Sequence, residues 1–251
     1  MFEAIDLSFY ADPVLDELVS GVPNLEKSIL LDLAQRAGGT VLEIGCGYGR
    51  ITIPLAERGV ELVGVELCGP SIAAARRKGG NLPIEWVEGD ARSFQLDRKF
   101  PLIFARGAVF DFLLTRRDQE AMLARVRDHL ADDGIFAFDI CYHRLSEMVN
   151  KADSVWFTLT DKQGRQICAG GSSHYDYSQQ LWFQRGWYRL NSADGELIAD
   201  PWELTLRYTL PQDVETLLHY NGFQVIARYT DWFGTLPTAE EGASLFICKL
   251  I

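Results

Sequence analysis

The chain is short of basic residues and has no long apolar run, and each shortage excludes a class of protein. Its 251 residues include 24 lysines and arginines against 35 aspartates and glutamates, which gives a net charge of −11. Because a surface this negative repels phosphate backbones, and because no basic run alternates with aromatic residues, we expect no nucleic-acid partner. No apolar run approaches the roughly 18 residues of a membrane span, and the N-terminus lacks the pattern of a secretory signal. We therefore expect no membrane partner.

Cysteine is also scarce. The five cysteines are scattered along the chain, and no two have the C-x-x-C spacing typical of zinc or redox sites. Their odd number does not suggest a disulfide framework. We expect free thiols, no bound metal and a cytoplasmic location. The apolar content of 47% is enough to bury a full core.

The most informative stretch is residues 41–49, Val-Leu-Glu-Ile-Gly-Cys-Gly-Tyr-Gly. Val41–Ile44 has the composition of a short buried strand, and a helical pattern begins at Arg50. The glycines between them allow a ligand to lie against the main chain, and a helix that follows such a turn points its N–H groups at the ligand. The stretch therefore predicts the strand, turn and helix that open a nucleotide-binding unit.

Acidic residues near this turn indicate the kind of nucleotide. A dinucleotide fingerprint has its third glycine where this chain has Arg50. Glu43 precedes the first glycine by two positions, where it is badly placed for a pyrophosphate and well placed for a cation. Two further predicted strands are followed by acids, at Glu66 and Asp90, and an acid at the first of these positions accepts hydrogen bonds from a ribose. S-adenosylmethionine has a sulfonium, an ammonium and no phosphate, and it therefore suits a site with these acids.

With these three motifs in order, residues 35–140 resemble the class I S-adenosylmethionine-dependent methyltransferases. The resemblance implies an α/β fold with a Rossmann-like, doubly wound sheet of seven strands. It implies S-adenosyl-L-methionine as the cofactor and S-adenosyl-L-homocysteine as its product. The cofactor contacts that it implies are Tyr10, Glu43, Gly45, Cys46, Gly47, Arg50, Glu66, Leu67, Asp90, Ala91, Ala105 and Arg106.

Two positions differ from the family's pattern, and one candidate contact has a second interpretation. Tyr10 could cover the cofactor, as a tyrosine of the leading segment often does in relatives, or could only pack in the core. Arg106 follows the fourth strand, where a cation beside a sulfonium is unfavourable unless it turns to an acid or an anionic substrate; it could equally be a solvated rim residue. Ala108 stands where many small-molecule relatives place an asparagine.

The second half of the chain changes pattern. Residues 155–210 alternate as antiparallel strands, with the last strand expected over Leu197–Leu210, before the helix and two strands that complete the sheet. We expect one domain with a helical cap (1–39), a cofactor-binding core (40–150), an antiparallel β insertion (151–210) between strands five and six, and the end of the core (211–251). This half resembles small-molecule methyltransferases with such an insertion, including enzymes that N-methylate amino sugars and small heterocycles.

The acceptor is a small molecule on this interpretation, but the sequence says less about it than about the cofactor. His143, just past strand five, is the candidate base, although a histidine there is commonly only solvated. Aromatic and basic residues could line an acceptor pocket or could form an extra core or a homodimer surface. These substrate-binding candidates are Trp156, Tyr175, Trp187, Arg189, Tyr208 and Trp232.

The function predicted from the sequence is methyl transfer to a small metabolite, first at nitrogen and next at oxygen. The alternative is a regulatory protein that binds the cofactor without methylating anything. A nicotinamide-dependent oxidoreductase is a more distant third. Product formation from a panel of metabolites separates the first two.

Overall fold

The fold is built around a mixed sheet of seven strands. The computed structural model describes residues 2, 4–5, 10, 24–142, 144–160, 166–192, 195–198, 201–238, 242 and 244–251. The strands of this sheet are β1 (Val41–Ile44), β2 (Leu62–Glu66), β3 (Ile84–Glu88), β4 (Phe100–Ala105), β5 (Leu130–Asp139), β11 (Phe223–Tyr229) and β12 (Leu245–Leu250). Their order is β11-β12-β5-β4-β1-β2-β3. The first five pair with one another in parallel, and β12 is antiparallel to β5 and β11. The predicted seven-stranded Rossmann-like sheet is confirmed.

Both faces of the sheet are buried, as a doubly wound fold requires. The helices are α1 (Ile29–Arg36), α2 (Thr52–Ala56), α3 (Gly69–Gly79), α4 (Arg116–His129) and α5 (Pro211–Tyr220), and Val109–Phe112 and Leu145–Glu147 are 3₁₀ turns. Successive residues of β4 alternate between two apolar clusters: Leu102 and Phe104 belong to one, and Ile103 and Ala105 to the other. β4 is therefore covered on both faces. Because the first five strands pair in parallel, their carboxyl ends meet along one edge.

Several helix and strand boundaries differ from those predicted. The helix expected over Leu25–Ala37 begins only at Ile29, because the Ser28 hydroxyl caps it by accepting the Leu30 N–H at 3.2 Å. The helix expected from Arg50 is the five-residue α2, which begins at Thr52. The helix expected to open at Asp12 and Pro13 lies outside the described residues.

The antiparallel insertion between β5 and β11 is present as a second sheet. Its strands are β6 (Lys151–Thr160), β7 (Gln166–Asp176), β8 (Leu181–Ser192), β9 (Gly195–Ile198) and β10 (Trp202–Arg207), with the order β10-β8-β7-β6 and β9 paired to β8. The single strand expected over Leu197–Leu210 was wrong. β9 and β10 pair with different halves of β8, and Pro201, which has no N–H to donate, lies between them.

The second sheet packs on the turn that follows β4. Trp202, Leu204 and Leu206 form a small apolar core against which Phe112 packs, and Arg207 Nη1 donates to the Leu114 carbonyl at 3.0 Å. In the described part of the chain, no helix combines the length and the apolar character needed to cross a membrane. No group of three or more histidine, cysteine, aspartate or glutamate side chains among those residues is arranged to hold a metal ion.

Candidate active site

A cavity of about 240 Å³ opens at the carboxyl edge of β1, β2 and β4. All the predicted cofactor contacts line it except Asp90 and Ala105. The lining residues are Ile5, Tyr10, Glu43, Gly45, Cys46, Gly47, Tyr48, Arg50, Ile51, Val65, Glu66, Leu67, Ser71, Gly89, Ala91, Arg106, Gly107, Val109, Phe112 and Leu113. One cavity thus brings together residues from six separate stretches of the chain.

The glycine turn brings the main chain against this cavity. Gly45 has a φ of 73°, and a Cβ on it would lie 2.5 Å from Cγ2 of Val109, so no other residue fits there. The N–H groups of Gly45 and Cys46 donate to the Val65 carbonyl at 2.8 and 3.1 Å, which fixes the turn to the end of β2.

Glu66 ends β2 with its carboxylate held by two main-chain donors. Oε2 accepts the Gly47 N–H at 2.8 Å and Oε1 accepts the Cys68 N–H at 2.7 Å. A carboxylate oxygen can accept more than one hydrogen bond, so these two donors do not prevent Glu66 from accepting hydroxyl donors of a ligand. The turn after β1 and the acid after β2 are therefore one rigid unit.

Glu43 is a buried acid in the middle of β1. It is 1% exposed, and the Thr52 hydroxyl donates to its Oε2. Burial raises the pKa of Glu43 to about 8, although Thr52, Arg50 and Arg106 act in the opposite direction. A carboxyl group with this pKa is largely protonated at pH 7 and ionises when a cation approaches.

A second buried acid, Asp139 at the end of β5, organises the turn after β4. Its Oδ1 accepts the N–H groups of Gly107 and Ala108 at 2.9 and 2.8 Å, and its Oδ2 accepts Nε1–H of Trp232 at 2.7 Å. Burial raises the pKa of Asp139 despite these donors. Ala108 adopts a left-handed conformation with φ of 61°, and the carboxylate on its N–H supports that geometry.

Comparison with known proteins identifies a methyltransferase domain. Residues 41–134 match the family described as Methyltransferase domain. YqeM of Bacillus subtilis (strain 168), named as a methyltransferase, is 29% identical over 242 residues, which cover 93% of each chain. These matches identify a methyltransferase domain in residues 41–134 and support S-adenosylmethionine-dependent methyl transfer.

The fold of this methyltransferase is shared with solved structures of low sequence identity. S-adenosylmethionine-bound CalS10, an amino pentose methyltransferase from Micromonospora echinaspora, has a TM-score of 0.76 and 18% identity, with each chain covered completely. The sugar N-methyltransferase KedS8 from Streptoalloteichus sp ATCC 53650 has a TM-score of 0.74 and 17% identity, with 100% of this chain and 96% of that chain covered. At these identities, the comparison establishes the fold alone.

Asp90 does not line the cavity of the methyltransferase, although its neighbours Gly89 and Ala91 do. Arg92 holds its carboxylate with Nη2 at 2.7 Å from Oδ2 and Nε at 2.9 Å from Oδ1, and also binds Asp118 at 3.2 Å. Burial opposes ionisation of Asp90, but the Arg92 hydrogen bonds prevail and the pKa is lowered. The predicted cofactor contact of Asp90 stays a prediction.

None of the six predicted substrate-binding residues lines the cavity. Most of them build aromatic clusters instead. Trp156 meets Trp202 edge-on at 5.6 Å, and Tyr175 lies 5.7 Å from the Tyr208 ring.

Two of the six lie together on β8 and the sixth lies in the loop before β12. The Arg189 guanidinium is 4.4 Å from the Trp187 ring, and Trp187 Nε1 donates to Asp153 at 2.9 Å. Trp232 is 5% exposed and carries the hydrogen bond to Asp139. Their substrate role stays a prediction, and His143 lies outside the described residues.

Sequence reasoning missed three residues that shape the cavity. Thr52 donates to Glu43, Asp139 fixes the turn after β4, and Phe112 lines the cavity while its ring lies 5.7 Å from that of Tyr10. Only Asp139 had a signal in the sequence, because it is a single acid inside the apolar run Ile-Phe-Ala-Phe-Asp-Ile.

Proposed function

We propose that this methyltransferase methylates a nitrogen atom of a small molecule and that the cavity beside β1, β2 and β4 holds its cofactor. The observation that carries the proposal is the combination of Glu43, buried and raised in pKa, with Glu66, fixed by main-chain donors, around a glycine turn. A cation gains from the first acid, and a ribose diol can donate to the second.

The residues present fit a nucleoside that carries positive charge. Glu66 would accept the ribose hydroxyls, and Gly45, Cys46 and Gly47 would border the amino-acid part. Asp90 and Ala91 follow β3 and would border the adenine.

S-adenosylmethionine would supply a methyl group on a positively charged sulfur. The residues of the chain would bind the nucleoside, align the acceptor nitrogen and exclude water. Val109, Phe112 and Leu113 give the cavity an apolar wall on the β4 side, and Tyr10 lies against Phe112. Such a wall lowers the local dielectric and desolvates an amine before it reacts.

A nitrogen acceptor is favoured over an oxygen acceptor because an amine needs no general base from the protein. An amine has only to arrive deprotonated, whereas a hydroxyl usually needs a base. Among the described residues, the cavity lining includes no histidine, and burial raises the pKa of the Cys46 thiol. KedS8 and CalS10, which share the fold, are named as a sugar N-methyltransferase and an amino pentose methyltransferase.

The β insertion, residues 151–210, is proposed as the cap over the acceptor in a single domain of residues 1–251. Its support is the packing of the β10 side chains Trp202, Leu204 and Leu206 against Phe112, which also lines the cavity. Deletion of the insertion is expected to preserve cofactor binding and abolish turnover. The predicted homodimer through the insertion stays a prediction.

The test is a set of matched acceptors that differ in one atom. The purified protein is incubated with S-adenosylmethionine and pairs of amino sugars and cyclic amines with their hydroxyl counterparts, and formation of S-adenosylhomocysteine is measured. We expect methylated amines and unreacted hydroxyl partners. Methylation of the hydroxyl partners alone would favour the O-methyltransferase alternative. Tight cofactor binding with no product from any pair would favour the regulatory one.

A further inference from the structure

Asp111 is a fully buried acid on the turn that follows β4. It belongs to the 3₁₀ turn Val109–Phe112, and 0% of its surface is exposed. Its Oδ2 accepts the N–H of Cys141, just past β5, at 2.6 Å. Its Oδ1 is also buried, and no hydrogen-bond partner for that atom lies among the described residues. Because burial of an unpaired polar atom is unfavourable, an acid at this place in a cavity wall needs a reason beyond packing.

Two acids hold this turn to the end of β5, and their hydrogen bonds run in opposite directions. Asp139, the last residue of β5, accepts the N–H groups of Gly107 and Ala108 at the start of the turn. Asp111, further along the turn, accepts the N–H of Cys141, which follows β5 by two residues. The main chain of the turn is therefore fixed to β5 at two separate points, and Asp111 supplies the second.

The surroundings of Asp111 favour its neutral form. Asp139 and Cys141 face it from the end of β5, and no basic side chain in the described part of the chain forms an ion pair with it. Burial raises the pKa of Asp111 well above its ordinary value, and Asp139 acts in the same direction, although the Cys141 hydrogen bond opposes both. A neutral carboxyl group still accepts an N–H through its carbonyl oxygen. An asparagine has the same shape and the same acceptor, so it should be able to replace Asp111.

The side chain that depends on this hydrogen bond is Phe112, the residue after Asp111. Phe112 lines the cavity and also packs on the apolar core of the insertion formed by Trp202, Leu204 and Leu206. It therefore connects the proposed cap over the acceptor to the wall of the proposed cofactor cavity. Without the second attachment to β5, the turn could shift and the ring of Phe112 would lose contact with one of its two neighbours.

We propose that Asp111, as a neutral acid bonded to the Cys141 N–H, is a positioning residue that holds Phe112 between the insertion and the cavity. The inference rests on the proposed function, because Phe112 must border the reacting acceptor. Asp111 itself does not line the cavity, so it acts through Phe112 and not by contact with a ligand. Loss of its hydrogen bond should reduce turnover more than cofactor binding, because separate hydrogen bonds hold Glu66 to the glycine turn.

The first experiment compares Asp111→Leu, which lacks the acceptor atom, with Asp111→Asn, which keeps it without an ionisable proton. Turnover of an amine acceptor and affinity for S-adenosylhomocysteine are measured for both. We expect Asp111→Leu to lose roughly tenfold or more in kcat while its affinity stays within about threefold of the wild type. Asp111→Asn should stay within about threefold of the wild type in both measurements. Cys141→Ala is the control, because it removes the thiol beside Asp111 and keeps the N–H.

The second experiment needs no methyl acceptor. Amide hydrogen exchange is followed in β10, whose side chains pack against Phe112, with β1 and β2 as internal references. Asp111→Leu should make β10 exchange roughly tenfold faster with little change in β1 and β2, and Asp111→Asn should leave all three strands unchanged. If the wild type neither binds the nucleoside nor forms product, the proposed function fails, and exchange in β10 still decides the role of Asp111.

Several results would overturn the proposal. Unchanged exchange in β10 of Asp111→Leu would show that the hydrogen bond does not hold Phe112 in place. Where the wild type turns over, a change in only one of the two experiments, or an affinity that falls as far as kcat, would break the link through Phe112. An equal loss of turnover in Asp111→Asn would show that the ionised carboxylate is required. If Asp111→Leu does not fold, Asp111→Ala replaces it, and failure of both to fold would assign Asp111 to folding alone.

Discussion

The carboxylate of Glu66 accepts the N–H of Gly47 at 2.8 Å, so the acid that ends β2 holds the glycine turn that follows β1. The two motifs are 19 residues apart in the chain and act as one unit. A ligand that binds Glu66 therefore meets a turn that is already in place, and preorganisation of this kind reduces the entropy lost on binding.

Removal of the Glu66 charge should weaken the cofactor site. We expect Glu66→Gln to lower the affinity for S-adenosylmethionine by roughly 10- to 100-fold, because hydrogen bonds to a charged group contribute about 1.5–3 kcal/mol. Isothermal titration calorimetry measures the change. Glu88→Gln is the matched control, since Glu88 pairs with Glu66 in the sheet register but does not line the cavity. Equal losses in both variants would contradict the role of Glu66.

Binding of the cofactor should release a proton at pH 7. Burial raises the pKa of Glu43 to about 8, so the group is mostly protonated in the free protein, and a bound cation favours its ionised form. The affinity should therefore rise with pH up to about 8 and level off above it. Calorimetry at pH 7 in buffers of different ionisation enthalpy counts the protons. Glu43→Gln should remove the release, and an unchanged count in that variant would assign the proton to another group.

The same residue should make the free protein less stable as the pH rises. The folded-state pKa of Glu43 lies above the ordinary glutamate value of 4.5, so between 4.5 and about 8 the folded state binds more protons than the unfolded state. Stability then falls with increasing pH across this window. Glu43→Gln should flatten that part of the profile in urea unfolding. A profile equally steep in the variant would show that Glu43 is not its cause.

The hydrogen bond from Trp232 to Asp139 should contribute strongly to the free energy of unfolding, because its acceptor is a buried carboxylate. Trp232→Phe keeps an aromatic ring beneath Arg106 but removes a donor from a buried carboxylate, which should cost about 1–3 kcal/mol of unfolding free energy. Chemical denaturation measures the loss. Trp187→Phe removes an indole donor to Asp153 at an exposed position and should cost clearly less.

Substitutions of Asp90 and Arg92 should have different effects on cofactor affinity and on stability. If Asp90 contacts the adenine, Asp90→Ala should weaken cofactor binding by about 1–3 kcal/mol. Arg92→Met removes the ion pairs to Asp90 and Asp118 and should lower stability while leaving affinity within about threefold. Affinity measured beside thermal unfolding distinguishes the two. An Asp90→Ala variant that only loses stability would assign Asp90 to the structure rather than to the ligand.

The sheet and most of the cavity lining at its carboxyl edge could be predicted because they follow from local patterns. A buried strand, a glycine turn and an acid at the end of the next strand are each visible in a few consecutive residues. Parallel pairing then places Glu43, Gly45 and Glu66 at one edge whatever the details of packing.

The acceptor side could not be predicted in the same way, because it depends on contacts between distant residues. From the sequence, the aromatic side chains of the insertion could line a pocket or form an extra core. In the structure, Trp156 and Tyr175 pack against neighbouring aromatic rings, which only their position in the folded sheet decides. The ion pair between Asp90 and Arg92 could not be predicted either. The two residues are close in sequence, but an arginine at that position could equally have been exposed to solvent.

The turn after β4 takes its shape from a carboxylate that comes 31 residues later, because Asp139 holds the Ala108 N–H. Val109 of that turn lines the cavity. Because the course of the main chain is held from β5, a substitution at Val109 can change the shape of this wall as long as Asp139 is kept. An attempt to reshape the cavity would do best to begin at Val109.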